Sequence, residues 1–206
     1  MTQRTRGRRV ARRPRTGLWL VLGGLGAAAA LIIALVLVFG GNNPTSTASN
    51  LNGIPADAAD APQIGEQFPD TGREHIAQTE RVAYSTNPPT SGNHWGNPAP
   101  WNVYADTPPA DEALVHNLEH GGIIISFSKE LVSADELTQL QDVYRELAAK
   151  NKRIILTSRP AMTNKVTLTA WTYRLQLDSV DLDQIRAFYN GHIARGPECQ
   201  QGLCPE

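Results

Sequence analysis

Cysteine is nearly absent from this 206-residue chain: only Cys199 and Cys204 occur, and they do not form a Cys-x-x-Cys pair. A dithiol redox site of the Cys-x-x-Cys kind is therefore excluded. No cysteine stands directly after the apolar run 18–39, which excludes a lipoprotein anchor there. Acidic residues are missing from the first fifteen positions, and charge of either sign is missing from residues 18–39. No internal repeat is visible, so a solenoid or tandem architecture is excluded.

The first fifteen residues contain seven arginines: Arg4, Arg6, Arg8, Arg9, Arg12, Arg13 and Arg15. The uncharged run that follows, LWLVLGGLGAAAALIIALVLVF, is 22 residues long. At about 1.5 Å per residue such a helix covers about 30 Å, the hydrocarbon thickness of a bilayer. A signal peptide has a shorter apolar region, about 7–15 residues, before a small-residue cleavage site. The run is therefore read as an uncleaved single-pass anchor in the lipid bilayer. The next basic residue is Arg73, so the positive-inside rule puts the N-terminus in the cytoplasm and the rest outside the membrane. The expected organisation is a basic cytoplasmic tail (1–17), a transmembrane helix (18–39), a flexible linker (40–62) and an extracytoplasmic domain (63–206).

Without the seven leading arginines, 12 basic residues face 20 acidic ones, a balance of −8. A nucleic-acid partner is not expected for so acidic a domain. Outside the membrane, Cys199 and Cys204 read as a disulfide closing a short terminal loop. A redox or copper-binding pair is the alternative.

The expected fold class is α+β, with the transmembrane helix followed by one small domain of about four strands and three helices. Strands are expected at 75–84, 122–127, 153–157 and 166–173. Helices are expected at 111–119, from Ser133 to about Leu147, and at 181–193. Ser133 and Glu136 form an S-x-x-E capping box ahead of the stripe Leu137, Leu140, Val143, Tyr144 and Leu147. The order β-α-β-α-β-β-α is shared with thioredoxin-like folds. Residues 85–109, rich in Pro, Gly, Asn and Trp, form a long structured loop of the kind that often carries function.

All five histidines follow the apolar run. On a helix His116, Glu119 and His120 fall within about 100° of one another, opposite Leu114, Val115 and Leu118. Histidines at i and i+4 can hold one metal ion. His94 from the long loop would supply a third ligand, with His75 and Glu119 as further ones. The implied cofactor is a transition metal ion, zinc or copper. The competing reading makes these histidines hydrogen-bonded struts, or the polar face a solvated one, in a non-catalytic interaction module.

The string His116-x-x-Glu119-His120 also matches the H-x-x-E-H signature of inverzincin proteases. The domain is smaller than such enzymes, and Gly121-Gly122 ends the helix at once, leaving little scaffold for a peptide cleft. No catalytic residue is therefore assigned. Trp95, Trp101 and Tyr104 either cap the core or line a pocket beside His94. Ser91 beside His94 has no orienting acid and is not read as a nucleophile.

Three strings together resemble the family known as domain of unknown function 3105. They are Pro88-Pro89-Thr90-Ser91-Gly92-Asn93-His94, Trp101-Asn102-Val103-Tyr104 and Val115-His116-Asn117-Leu118-Glu119-His120-Gly121-Gly122. The resemblance extends to Thr169-Ala170-Trp171 and Gly196-Pro197-Glu198. It implies a domain of about residues 75–198, a frequent N-terminal membrane span, and a pattern that includes His94, His116, Glu119 and His120. It implies no reaction.

Overall fold

In the computed structural model residues 53–205 are described. The elements are β1 (Glu66–Gln67), β2 (His75–Ile76), β3 (His94–Trp95), β4 (Val103–Tyr104), α1 (Asp111–Glu119), β5 (Ile123–Phe127), α2 (Ala134–Lys150), β6 (Ile154–Ser158), β7 (Val166–Ala170), β8 (Tyr173–Leu177) and α3 (Leu182–His192). The mixed sheet runs β1-β8-β7-β5-β6-β4, and β2 and β3 form a separate two-stranded pair.

The isoleucine-rich β5 occupies the middle of this sheet. It pairs parallel with β6 and antiparallel with β7. All five of its residues are buried, because helices cover both faces of the sheet and no position can be polar for solvent. Ile123, Ile125 and Phe127 point into the larger core, with Leu140, Val143 and Leu147 of α2 and Ile185, Phe188 and Tyr189 of α3. Ile124 points the other way, into a smaller core with Leu114 and Leu118 of α1. The period-two alternation of a strand thus joins one sheet to two cores.

Helix α2 begins where the capping box predicts. The Ser133 hydroxyl accepts from the Glu136 amide, and the Glu136 carboxylate accepts from the Ser133 amide. Its buried Leu140, Val143 and Leu147 each contribute about 1.5–3 kcal/mol of apolar burial. The Tyr189 hydroxyl donates to the Leu147 carbonyl at 3.0 Å and ties α3 to α2.

Three expectations need correction. The sheet has six strands rather than four. The expected strand at 166–173 is the first arm of a hairpin, β7–β8, that turns at Trp171–Thr172; Thr172 takes a φ of 63°. The expected strand at 75–84 shrinks to His75–Ile76, because the chain turns at Ala77–Glu80 through the Glu80 amide to the Ala77 carbonyl. β2 therefore stays outside the main sheet; the strand that leads into α1 is β4, paired parallel with β6, so the expected β-α-β-α-β-β-α order runs from β4 rather than from residues 75–84, with β8 as an added strand.

The packed chain also starts before the expected boundary at residue 63. Ala58 is fully buried in the larger core, and the Asn151 side chain donates to the Gly53 carbonyl at 2.7 Å. The apolar run 18–39 lies outside the described residues. Among the described residues no helix is long and apolar enough to cross a membrane.

Candidate metal centre

Helix α1 carries the centre of the site. Leu114 and Leu118 pack on Ile124 and Ile155 of the sheet, which turns His116, Glu119 and His120 toward the loops. This polar face is buried: His116, Glu119 and His120 are all under one-tenth exposed. It is thus not a solvated face. Asn117 locks the long loop over the helix, its amide accepting from the Ala99 N–H and donating to the Ala99 carbonyl, both at 2.9 Å. Glu112 does the same for an earlier segment, accepting from the Val82 amide and the Arg81 guanidinium at 3.0 Å each.

The short β2–β3 pair brings in two more histidines. Its parallel register sets His75 directly beside His94, and directly paired residues project from the same face of a sheet. The loop before β3 is anchored by the β7–β8 hairpin, where the Thr172 amide donates to the Thr90 carbonyl at 2.8 Å. Ser91 is part of that anchoring: its hydroxyl accepts from the Thr71 amide and donates to the Pro69 carbonyl, both at 3.2 Å.

The structure brings together all five residues singled out in the sequence. His94 Nε2 lies 2.9 Å from Glu119 Oε2, and His75 Nε2 lies 3.7 Å from the same oxygen. His116 Nε2 lies 3.0 Å from His120 Nε2. The His75 and His116 rings stack at 4.9 Å, and the His94 and His116 centroids are 5.0 Å apart. Two triads, His75/His94/His116 and His116/Glu119/His120, each keep one donor atom per residue within 4.8 Å of the others, a spacing able to hold a metal ion.

Backbone carbonyls orient two of the rings. A carbonyl only accepts, so His94 Nδ1–H donates to Gly92 O at 2.8 Å and His116 Nδ1–H donates to Trp95 O at 2.6 Å. In the neutral imidazole this leaves each Nε2 as a lone pair facing the cluster. Metal-ligating histidines have the same second hydrogen bond. Burial lowers the His116 pKa below the ordinary value. Burial, together with the neighbouring His116, lowers that of His120 to about 4. Both rings are therefore neutral near pH 7, the form that ligates metals.

One participant was missed in the sequence. Glu198 Oε2 lies 2.9 Å from His120 Nε2. Its signal was present in Gly196-Pro197-Glu198, but a carboxylate so far along the chain has no helical spacing that points to the histidines. The backbone places it: Ala194 N–H donates to Gly121 O at 2.8 Å, so residues 194–198 cross the end of α1. Cys199 and Cys204 form the expected disulfide. Both sulfurs press on Gly121, where an added Cβ would meet Cys199 Sγ at 2.5 Å and Cys204 Sγ at 2.9 Å; its φ of +72° also favours glycine.

Trp95, Trp101 and Tyr104 pack with the smaller core rather than around His94. Trp171, at the hairpin tip, stands edge-on to His94 with centroids 6.4 Å apart. His192 is remote in role: its ring lies between Tyr173 and Phe188, with Nε2–H donating to Ile64 O at 2.7 Å.

No curated protein and no solved structure shows significant similarity to the chain. Residues 75–204 match the family described as "Protein of unknown function (DUF3105)", and this span holds His75, His94, His116, Glu119, His120 and Glu198. With well over half its length matched, the chain belongs to that family.

Proposed function

We propose that the protein is a membrane-tethered, extracytoplasmic domain that binds a transition metal ion through its histidine cluster. The observation that carries the reading is the proton count inside the cluster. His94 Nε2 faces a carboxylate oxygen at 2.9 Å, and His116 Nε2 faces another imidazole nitrogen at 3.0 Å. Both Nδ1 protons are already committed to carbonyls. With His94 neutral, its Nε2 lone pair faces the Glu119 carboxylate oxygen in a buried space, while His116 Nε2 has a donor only where His120 carries its proton on Nε2. A buried acceptor without a donor is costly, and a cation shared by these atoms removes that cost.

Imidazole and carboxylate donors suit zinc or copper. The tether and its orientation are supported by the arginine-rich tail, the uncharged run 18–39 and the acidic remainder of the chain. The test is elemental analysis of the purified, untagged protein after loading with zinc or copper(II), against His116→Ala/His120→Ala. Bound metal in the wild type and its loss in the variant are expected. No metal in the wild type refutes the proposal. Cysteine labelling of single-cysteine variants on either side of the run, in intact cells, tests the topology.

A further inference from the structure

The cluster contains more donors than one tetrahedral ion uses. Four imidazoles and two carboxylates meet here, whereas zinc sites are almost always four-coordinate. The two triads share His116, yet His116 cannot serve two ions. Its Nδ1–H is held by the Trp95 carbonyl, so a single lone pair, on Nε2, faces the cluster.

Contacts under 4 Å sort the six residues into two equal sets, which cut across the two triads. In the first, Glu119 Oε2 lies 2.9 Å from His94 Nε2 and 3.7 Å from His75 Nε2. In the second, His120 Nε2 lies 3.0 Å from His116 Nε2 and 2.9 Å from Glu198 Oε2. Metal–donor bonds of about 2.0–2.2 Å in tetrahedral geometry place neighbouring donors about 3.3 Å apart. All four distances lie close to that spacing. Each set has two imidazoles and one carboxylate. Stacked His75 and His116, from opposite sets, have centroids 4.9 Å apart, so the sets are neighbours.

We infer that the cluster is a two-ion centre, in which His75, His94 and Glu119 hold one transition metal ion and His116, His120 and Glu198 hold a second. This rests on the metal-binding reading above. It assigns Glu198 a role that helical spacing alone does not suggest. The position of Glu198 is built into the fold. Gly196 lies so close to the end of α1 that an added Cβ would stand 2.2 Å from the Glu119 carbonyl and 2.4 Å from the Gly121 nitrogen. Glu198 N–H reaches the Glu119 carbonyl at 3.4 Å, and the next residue, Cys199, is stapled to Cys204. The C-terminal loop thus delivers a carboxylate to the helix that carries both histidines of the second set.

Glu198 also lines an open surface cavity with Gln200, Gln201, Leu203, Cys204 and Pro205. The second set thus meets solvent through Glu198, as the first does through His75. Two-metal sites in general place their ions about 3.5–4 Å apart.

The experiment is a stoichiometry measurement on the untagged protein. It is stripped with chelator, dialysed against excess zinc and read as zinc per sulfur by elemental analysis, with a copper(II) arm in parallel. Two equivalents are expected for the wild type. Glu198→Gln, a near-isosteric change at a half-buried side chain, is expected to retain one. His75→Gln, at the exposed rim of the first set, is also expected to retain one. Circular dichroism confirms that both variants fold. One equivalent in the wild type overturns the two-ion centre and leaves the metal-binding reading intact; none overturns both. Two equivalents in Glu198→Gln overturn the assignment of that residue.

Discussion

Replacing His192 by glutamine removes a buried titratable ring while preserving its principal hydrogen bond. In the structure His192 Nε2–H donates to Ile64 O at 2.7 Å, Nδ1 accepts from the Gln63 amide at 3.5 Å, and the side chain is almost wholly buried. That arrangement uses the neutral imidazole, and burial lowers the pKa from 6.5 to about 4. The folded pKa lies below the unfolded one, so as pH falls the unfolded chain takes up the proton first. Stability from this residue is intact above about pH 6.5 and is lost progressively toward pH 4. A displacement of about 2.5 pKa units corresponds to about 3 kcal/mol when complete, of which about 2.5 kcal/mol is lost between about pH 7.5 and about pH 4.5. Against a typical total of about 5–15 kcal/mol, this is readily measured. Urea unfolding of the wild type and His192→Gln at both pH values, in chelator, is the assay. The wild type is expected to lose about 2 kcal/mol more than the variant on acidification. Equal losses in the two proteins would refute the assignment of His192 as a buried neutral ring.

Asn117→Ala leaves the Ala99 N–H and C=O without partners in a buried site and is expected to cost about 2–4 kcal/mol; urea unfolding with tryptophan emission reads both the loss and the loosened loop. Gly196→Ala forces residues 194–198 away from the end of α1. Overpacking is expected to cost about 1–3 kcal/mol and to weaken zinc binding at the second set, read by chelator competition. Zinc at 100 times its dissociation constant is expected to stabilise the fold by about 2.7 kcal/mol, raising Tm in the wild type but not in His116→Ala/His120→Ala. Ser133→Ala removes the cap of α2 and is expected to cost about 1 kcal/mol with no change in metal content.

The elements with local causes were legible. The capping box, the isoleucine run and the Gly121-Gly122 stop after α1 act within a few residues, so the three helices and β5 stand close to their expected positions. The hairpin β7–β8 was not, because Thr172 turns the chain at a position with no Gly, Asn or Asp to signal it. The short strands β1 and β4 were equally invisible. Two residues carry no period, and their pairing is decided by the sheet edges they meet.

The site divides in the same way. Helical spacing alone put His116, Glu119 and His120 on one face, and the unusual loop around His94 drew attention to a third histidine. What lies on that face was decided only by tertiary structure. The β2–β3 register carries His75 to His94, and the loop after α3 carries Glu198 to His120. These approaches join residues 19 and 78 positions apart in the chain, and neither leaves a local trace. The sequence by itself determined an arginine-rich tail, an uncharged run, an acidic domain and a histidine helix, since each depends on composition or on a period of 3.6 residues. The convergence of four imidazoles and two carboxylates belongs to the fold, because packing, rather than spacing, sets the distances between residues far apart in sequence.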